Sequence, residues 1–382
     1  MSSYPPQGNT RPPCMPYDFY VWTDGTYYYA DDWRGNLVYG GFGGAGGVLG
    51  ITTDTVFQAV VNTGSCKVLC SKGIFNFNLT SGQNYCVLLP YGKSYCFYGS
   101  GMPSMVCIPF ANNPTNTTPS DGTQFRLTSS VLTAAAGNYA IFQRASGSNH
   151  AGNLEFYDCA FMLPYGSVTS GIWMYCVYDF YCSSFKCDRV LGMPYGWAEA
   201  GYPTITYHNV TQTFYIDGCG GGSTAKVGTL LEIGLYQGTQ LINFDAITWD
   251  DVTMWKCVNG IISKAIVQNY IKKVSSYDPL SYIVTFSTNG SNQVDNCIET
   301  LFVECVSYVP TVTAFINLGT VSTTTAMVKR SMIFHGTGYA GTYTHIADCT
   351  ISSVVTNVDA TQLIAGQNWY CGIGGVTTWQ VK

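Results

Sequence analysis

Acidic side chains are the residues of this chain best suited to acid–base chemistry. Pairs of carboxylates cleave glycosidic bonds when their side chains converge at separations of about 5 to 9 Å. Asp158 and Asp217 occupy similar places near the ends of alternating apolar segments, so their side chains would stack on one face of a sheet. Asp188 is next to Arg189. We find no catalytic motif, and these four residues are the candidates for an active site, with solvated or turn-capping aspartates as the alternative.

The histidines form no pattern that predicts a metal site or a nucleophile. Structural zinc needs two close cysteine pairs, or one such pair followed by a spaced histidine pair. The closest cysteine spacings are Cys66 to Cys70 and Cys182 to Cys187, and no histidine lies within a few residues of them. No serine or cysteine can be assigned to a histidine from spacing alone. We therefore expect no metal and no cofactor.

The 16 cysteines are spread over almost the whole chain, which favours disulfides in an oxidising compartment. Buried free thiols and metal binding are the alternatives. We expect at least one bridge in the densest cluster, which consists of Cys66, Cys70, Cys86, Cys96 and Cys107. Four N-x-S/T sequons are candidates for glycosylation, at Asn78, Asn116, Asn209 and Asn289.

Aromatic residues are crowded between residues 173 and 207, and further tryptophans follow. Exposed Tyr and Trp rings can stack on sugar faces, and amphipathic rings also suit protein interfaces. The candidates for glycan binding are Trp173, Tyr178, Trp197, Tyr202 and Trp249. Burial in the core or in an interface is the alternative for these rings.

The composition of the chain limits the kinds of molecule that it can bind. The chain has 382 residues, with 17 Lys and Arg against 22 Asp and Glu, and only 10% of its residues are charged. Scattered cations outnumbered by acids cannot form the basic stripe that binds a phosphate backbone, so we expect no nucleic acid partner. No apolar run approaches about 18 residues, so we expect no membrane span. The first 20 residues also lack the pattern of a signal peptide.

The order of elements predicts four regions. Residues 1–16 contain five prolines and are expected to form an extended arm or tail. Residues 17–80 should contain a β-hairpin around Asp24–Gly25 and one capped helix over residues 53–62. Residues 81–375 should form the strand-rich domain, with short alternating strands that recur at roughly 25 to 40 residues from about residue 153 onward, and residues 376–382 form the C-terminal end.

This pattern predicts an all-β fold. The absence of long helical segments between the predicted strands excludes a doubly wound α/β fold. Two architectures remain. One is a parallel β-solenoid, and the other is a jelly roll or β-sandwich built of antiparallel strands.

The stretch from Thr53 to Asn78 resembles the N-terminal cap of right-handed parallel β-helix proteins of the pectin-lyase-like superfamily. The residues that carry the resemblance are Asp54-Thr55, Gln58-Ala59-Val60, Gly64, Val68-Leu69 and Lys72-Gly73-Ile74-Phe75. The segment from Tyr20 to Gly35 looks like the leader that precedes this cap in archaeal β-helix proteins. The resemblance implies a right-handed parallel β-helix whose open end is plugged by a capping helix, and side-by-side assembly into trimers.

Many members of that superfamily cleave acidic polysaccharides, but their Gly-His-Gly and Arg-x-Lys motifs are absent here. We therefore predict a non-enzymatic extracellular or virion-surface protein, such as a spike, turret or fibre component. Its expected partners are copies of itself, most simply in a trimer, other virion or cell-surface proteins, and glycans used in host attachment. The charge-poor surface suits hot, acidic surroundings. The alternative function is a secreted polysaccharide lyase or glycoside hydrolase.

Overall fold

The computed structural model describes residues 16–40, 52–79, 82–104, 119–135, 137–145, 152–164, 172–178 and 184–195, and beyond residue 204 it describes the strands given below. The chain divides into two compact units, Met1–Ala198 and Glu199–Lys382. Each unit consists mainly of β-strands, so the predicted all-β class is confirmed. Residues 1–15 of the predicted arm lie outside the described part.

Within its described residues, the first unit contains one α-helix, α1 (Thr53–Asn62), and a short 3-10 helix over Ser129–Thr133. Its strands are β1 (Phe19–Thr23), β2 (Tyr28–Asp32), β3 (Leu37–Gly40), β4 (Cys66–Cys70), β5 (Gly73–Phe77), β6 (Tyr85–Leu89), β7 (Tyr95–Tyr98), β8 (Thr123–Leu127), β9 (Gly137–Arg144), β10 (Asn153–Pro164), β11 (Ile172–Tyr178) and β12 (Ser184–Tyr195).

The predicted hairpin is confirmed. β1 and β2 pair antiparallel around Asp24 and Gly25, and Gly25 has the positive φ of 93° that this turn requires. One Asp24 carboxylate oxygen accepts hydrogen bonds from the backbone N–H groups of Thr26 and Tyr27, at 2.8 and 2.7 Å. These bonds help to hold the pKa of Asp24 below its usual value, against the opposing effect of burial. β3 extends the antiparallel pairing from β2.

The predicted helix is also confirmed, since α1 covers Thr53–Asn62. Val56, Phe57, Val60 and Val61 are spaced as one helical face and are all buried. Glu and Lys are absent from this helix, so burial of that apolar face is what stabilises it.

Beyond the hairpins, the strands of the first unit pair in parallel and form three ladders. The first ladder joins β1, β4, β7 and the first halves of β10 and β12. The second ladder joins β5, β8 and the second halves of β10 and β12. The third ladder joins β6, β9 and β11. Because β1 pairs antiparallel with β2 and parallel with β4, the sheet is mixed.

The second unit repeats this style of pairing. Its strands are β13 (Ile205–Thr206), β14 (Phe214–Ile216), β15 (Thr229–Ile233), β16 (Tyr236–Gln237), β17 (Gln240–Leu241), β18 (Ile247–Trp255), β19 (Asn259–Lys264), β20 (Gln268–Tyr277), β21 (Val284–Ser287), β22 (Val294–Glu304), β23 (Ile316–Asn317), β24 (Thr324–Lys329), β25 (Met332–Ile333), β26 (His345–Ala347), β27 (Thr350–Ile351), β28 (Trp369–Tyr370) and β29 (Gln380–Val381).

Two parallel series account for most of these strands. One series runs β14, β18, β20 and β22 and continues through β24 to β26 and through β25 to β27 and β28. The other runs β13, β15, β19, β21 and β23. Two short antiparallel pairs, β16 with β17 and β28 with β29, complete the described pairings of this unit.

Phenylalanine side chains form the core of the first unit. Phe57 is completely buried, and it projects from α1 among rings contributed by all three ladders. Its ring centroid lies 5.3 to 6.1 Å from those of Phe75, Phe77, Phe97, Phe125 and Phe142. Edge-to-face and tilted ring contacts of this kind add to the stabilisation from apolar burial. Phe57 therefore connects the helix to strands of all three ladders.

Replacing Phe57 with alanine should lower the free energy of unfolding by about 3 to 5 kcal/mol, because it leaves a cavity among rings from every ladder. Denaturant unfolding followed by circular dichroism measures the change. Trp33→Ala is the control, since Trp33 is 62% exposed, and its effect should stay within about 0.5 kcal/mol. Equal effects of the two substitutions would contradict the central role of Phe57.

Candidate functional site: a corner ion pair and a stacked outer face

Two of the candidate catalytic residues lie at a bend in long strands. Asp158 in β10 and Arg189 in β12 both have a φ of 52°, which is a left-handed conformation in the middle of a strand. They are opposite each other, because Tyr157 pairs with Asp188 and Cys159 pairs with Val190. This conformation costs a non-glycine residue about 1 to 2 kcal/mol. The bend divides each strand between the first and second ladders, so it forms a corner.

Arg189 binds two carboxylates at this corner. Its Nε and Nη2 atoms donate to the two oxygens of Asp158, at 2.5 and 2.8 Å, and Nη1 donates to Asp188 at 2.7 Å. The hydrogen bond to Asp158 is the main reason that the pKa of Arg189 is raised. The Arg189 side chain is 48% exposed. The structure therefore brings Asp158, Asp188 and Arg189 together, whereas Asp217 lies outside the described residues.

This arrangement differs from a pair of catalytic carboxylates. A general acid and a general base need side chains that are free to exchange protons with a substrate. Here a single guanidinium bridges Asp158 and Asp188, and the bidentate geometry with Asp158 fixes both partners. The corner ion pair is suited to aligning β10 with β12 while it offsets the backbone strain of the bend.

A double-mutant cycle on Asp158→Asn and Arg189→Gln should show a coupling energy of about 0.5 to 1 kcal/mol, the range for partly exposed ion pairs. The coupling should fall as salt is raised, because these charges are screened. The matched control combines Asp158→Asn with Lys72→Gln, at an exposed lysine of the same unit, and should be additive. If both cycles are additive, Asp158 and Arg189 have no coupling energy, and the ion pair does not align β10 with β12.

The outer side of the first ladder carries an aromatic column. Val68, Phe97 and Phe156 are buried in the core, so the alternate residues of the same strands face outward. In this direction Leu69 lies opposite Tyr98, and Tyr98 lies opposite Tyr157. The two tyrosine rings stack with centroids 4.9 Å apart and an interplanar angle of 15°. We call Leu69, Tyr98 and Tyr157 the tyrosine column.

A charged column runs beside it. Lys67 lies opposite Cys96, Cys96 opposite Glu155, and Glu155 opposite Lys186. Asp18 extends the column, since its carboxylate accepts a hydrogen bond from the Lys67 backbone N–H at 2.7 Å. The order of acidic and basic residues along this column avoids like charges on neighbouring strands.

The two columns are connected through Glu155. Its Oε2 atom accepts hydrogen bonds from the Tyr157 hydroxyl at 2.9 Å and from the Cys96 thiol at 3.7 Å. Burial, and then the bond to Glu155, raise the pKa of Tyr157. A hydrogen bond with Cys96 is the main cause of the raised pKa of Tyr98. Both phenols and the thiol are therefore protonated at neutral pH.

The ring faces of the tyrosine column are covered. Tyr157 has Tyr98 on one side and the Lys186 ammonium 5.1 Å from its ring centroid. Tyr98 packs in turn against the cluster that contains Leu69. A sugar that stacks on an aromatic residue needs an open ring face. This column thus stabilises strand stacking and leaves only ring edges for a ligand.

The structure describes only some of the residues that we predict to bind glycans. Trp173 and Tyr178 lie in β11, opposite Asn138 and Gln143 of β9, but their side chains lie outside the described part. Trp249 lies opposite Ile271 in the second unit, and its side chain lies outside the described part. Trp197 and Tyr202 are outside the described residues.

Asn78 is exposed, and its side-chain oxygen accepts a hydrogen bond from Thr128 at 2.8 Å. The sequons at Asn116, Asn209 and Asn289 lie outside the described residues.

The described cysteines are buried free thiols. They include Cys66, Cys70, Cys86 and Cys96 of the cluster in which we expected a disulfide, and Cys107 lies outside the described part. The expected bridge is therefore not seen among these four residues. Burial raises the pKa of Cys66 and of Cys96 to about 12. Since the thiolate is the reactive form, these buried thiols are unreactive at neutral pH.

Iodoacetamide should label Cys66, Cys70, Cys86 and Cys96 slowly in the native protein and fully in denaturant without reductant. The difference arises because burial protects the thiols and suppresses the thiolate. Peptide mass spectrometry gives the labelled fraction at each position, and a reduced and denatured sample serves as the control. Protection that persists in denaturant and disappears on reduction would instead reveal disulfides.

Tyr98, Glu155, Tyr157 and Lys186 were not identified from the sequence. A signal for them exists, because the strands Lys67–Leu69, Cys96–Tyr98 and Glu155–Tyr157 share a polar residue, a core residue and then an outward apolar or aromatic residue. The signal becomes visible only once these strands are aligned in parallel register.

Within the described ranges, no group of three or more His, Cys, Asp and Glu residues is placed to hold a metal ion. No helix in the described part has both the length and the apolar character needed to cross a membrane. Comparison with known proteins identifies no relative: no family model, curated protein or solved structure matches this chain.

Proposed function

We propose that this chain forms a right-handed parallel β-helix of the pectin-lyase-like type and serves as a non-enzymatic structural component of an extracellular or virion surface. The observation that carries the proposal is the order of parallel pairing in the first unit. The chain passes from the first ladder to the second and then to the third, in the sequence β4, β5, β6 and again β7, β8, β9. Each such passage corresponds to one coil of a solenoid.

The next strands support the same interpretation. β10 contributes its first half to the first ladder and its second half to the second, and β11 then joins the third ladder. Parallel crossover connections are right-handed in nearly all proteins, which supports the proposed hand. A jelly roll would require mainly antiparallel pairs, whereas parallel pairs predominate among the described strands.

The position of α1 supports the capping role. The helix packs against β5 and β6, strands of the first proposed coil, and buries Phe57 among the core rings. An uncovered end of such a core would expose apolar rings and open strand edges to other chains. In this proposal α1 covers the end of the β-helix and prevents its association with other chains.

The chemistry of the corner supports a structural role. Asp158 and Asp188 are bound to Arg189 in a geometry that aligns two strands, and the neighbouring outer face is filled by ring stacking. A rigid surface whose charged groups are already paired and whose rings are already stacked suits a spike, turret or fibre. In this proposal the chain assembles with itself, most simply as a trimer of parallel shafts, and residues 1–16 attach it to other surface proteins. Glycans are the proposed ligands in host attachment.

Two measurements on the full chain test this function. Sedimentation velocity and negative-stain electron microscopy should show an elongated homo-oligomer, with three chains as the expected number. Incubation with polygalacturonate and alginate should leave both polymers at full length. A monomer would overturn the assembled shaft, and depolymerisation that is lost in Asp158→Asn would establish the lyase or hydrolase alternative instead.

A further inference from the structure

The stacked tyrosines of the first unit bring two oxidisable rings into contact across the ladder. Tyr98 of β7 and Tyr157 of β10 are direct register partners, with nearly parallel rings whose centroids are 4.9 Å apart. Both side chains are partly exposed, so a small oxidant can reach them. The Tyr17 and Tyr20 rings, by contrast, are 6.4 Å apart and tilted by 52°.

The groups around this pair assist oxidation of a phenol. A tyrosine that loses one electron becomes strongly acidic and must release its hydroxyl proton. The Tyr157 hydroxyl already donates to Glu155 Oε2 at 2.9 Å, so a base is in place to accept that proton. The strand register fixes the two rings at little entropic cost, since the backbone of both strands is already ordered.

We propose that Tyr98 and Tyr157 form a site of oxidative cross-linking, at which a dityrosine bond joins β7 to β10. A one-electron oxidant, such as a peroxidase intermediate or an oxygen-derived radical, removes one electron from each ring, and each phenol loses its proton. The two radicals couple through one ortho carbon of each ring. Each coupled carbon then releases its proton to water while the oxygen of the same ring takes up a proton, which restores both aromatic rings and both hydroxyl groups. The net change is the loss of two hydrogen atoms and the reduction of the oxidant by two electrons.

This modification is independent of the proposed surface role, although it would strengthen a shaft exposed to air and peroxides. The bond closes a long loop of chain between two strands that are already paired. Cross-links of this kind stabilise proteins mainly by reducing the entropy of the unfolded chain. The cross-linked protein should therefore unfold at higher denaturant concentration.

Photo-oxidation with tris(bipyridyl)ruthenium and persulfate tests the proposal on the full chain. Dilute protein should lose the mass of two hydrogen atoms and yield one major cross-linked peptide pair that contains Tyr98 and Tyr157. Tyr98→Phe and Tyr157→Phe keep the ring packing but remove a phenol, and each should abolish that peptide pair. Tyr85→Phe is the matched control, because Tyr85 lies opposite Ala140, and it should leave the yield unchanged.

Cys96 provides a second check, because its thiol is hydrogen-bonded to Tyr98. The thiol can transfer its hydrogen atom to a Tyr98 radical, which restores the phenol and leaves a thiyl radical on Cys96. Cys96→Ser should therefore raise the yield of the same peptide pair. Circular dichroism confirms that each variant is folded. Absence of the Tyr98–Tyr157 peptide pair from both the wild type and Cys96→Ser, or its persistence in Tyr98→Phe, would overturn the proposal.

Discussion

The stacking of core phenylalanines in parallel register is the interaction on which the rest of the first unit depends. Phe97 and Phe156 stack with centroids 5.1 Å apart, and Phe125 and Phe161 lie 5.5 Å apart on the next ladder. Phe57 closes the group from the helix. Because the side-chain period of a strand is two, fixing the inward rings in register also fixes every outward side chain. The core thus determines the outer surface.

The outer columns follow from this constraint. With Phe97 and Phe156 in register inside, Tyr98 and Tyr157 must meet outside, and Cys96 must meet Glu155. Stacked tyrosines then bury apolar surface on a face that would otherwise be wet, and Glu155 satisfies the hydroxyl of Tyr157. Ring stacking and this hydrogen bond therefore add to the backbone pairing that holds the ladder together.

Local features of the fold could be predicted from the sequence, and long-range pairing could not. The turn at Asp24–Gly25 and the helix with Phe57 on its buried face are determined by neighbouring residues, so turn chemistry and helical spacing identify them. The partner of Asp158, in contrast, is distant in the sequence. The residue opposite Asp158 is Arg189, and the sequence did not predict this, because pairing between parallel strands depends on a register that no local pattern encodes. Asp217, which we expected on the same face, lies outside the described residues.

At the corner, different residues on successive strands stabilise the same backbone bend. Gly99 follows β7 where Asp158 bends β10, and a Cβ at Gly99 would collide with the Asp158 carbonyl. The backbone N–H of Gly101 donates to that carbonyl at 3.0 Å, while Arg189 binds the Asp158 carboxylate from the other side. Gly99 therefore leaves room for the bend after β7, whereas the ion pair between Asp158 and Arg189 stabilises the bend in β10 and β12. A bend held from both sides in this way can adopt a positive φ without glycine, and the two strands keep the same parallel register before and after it.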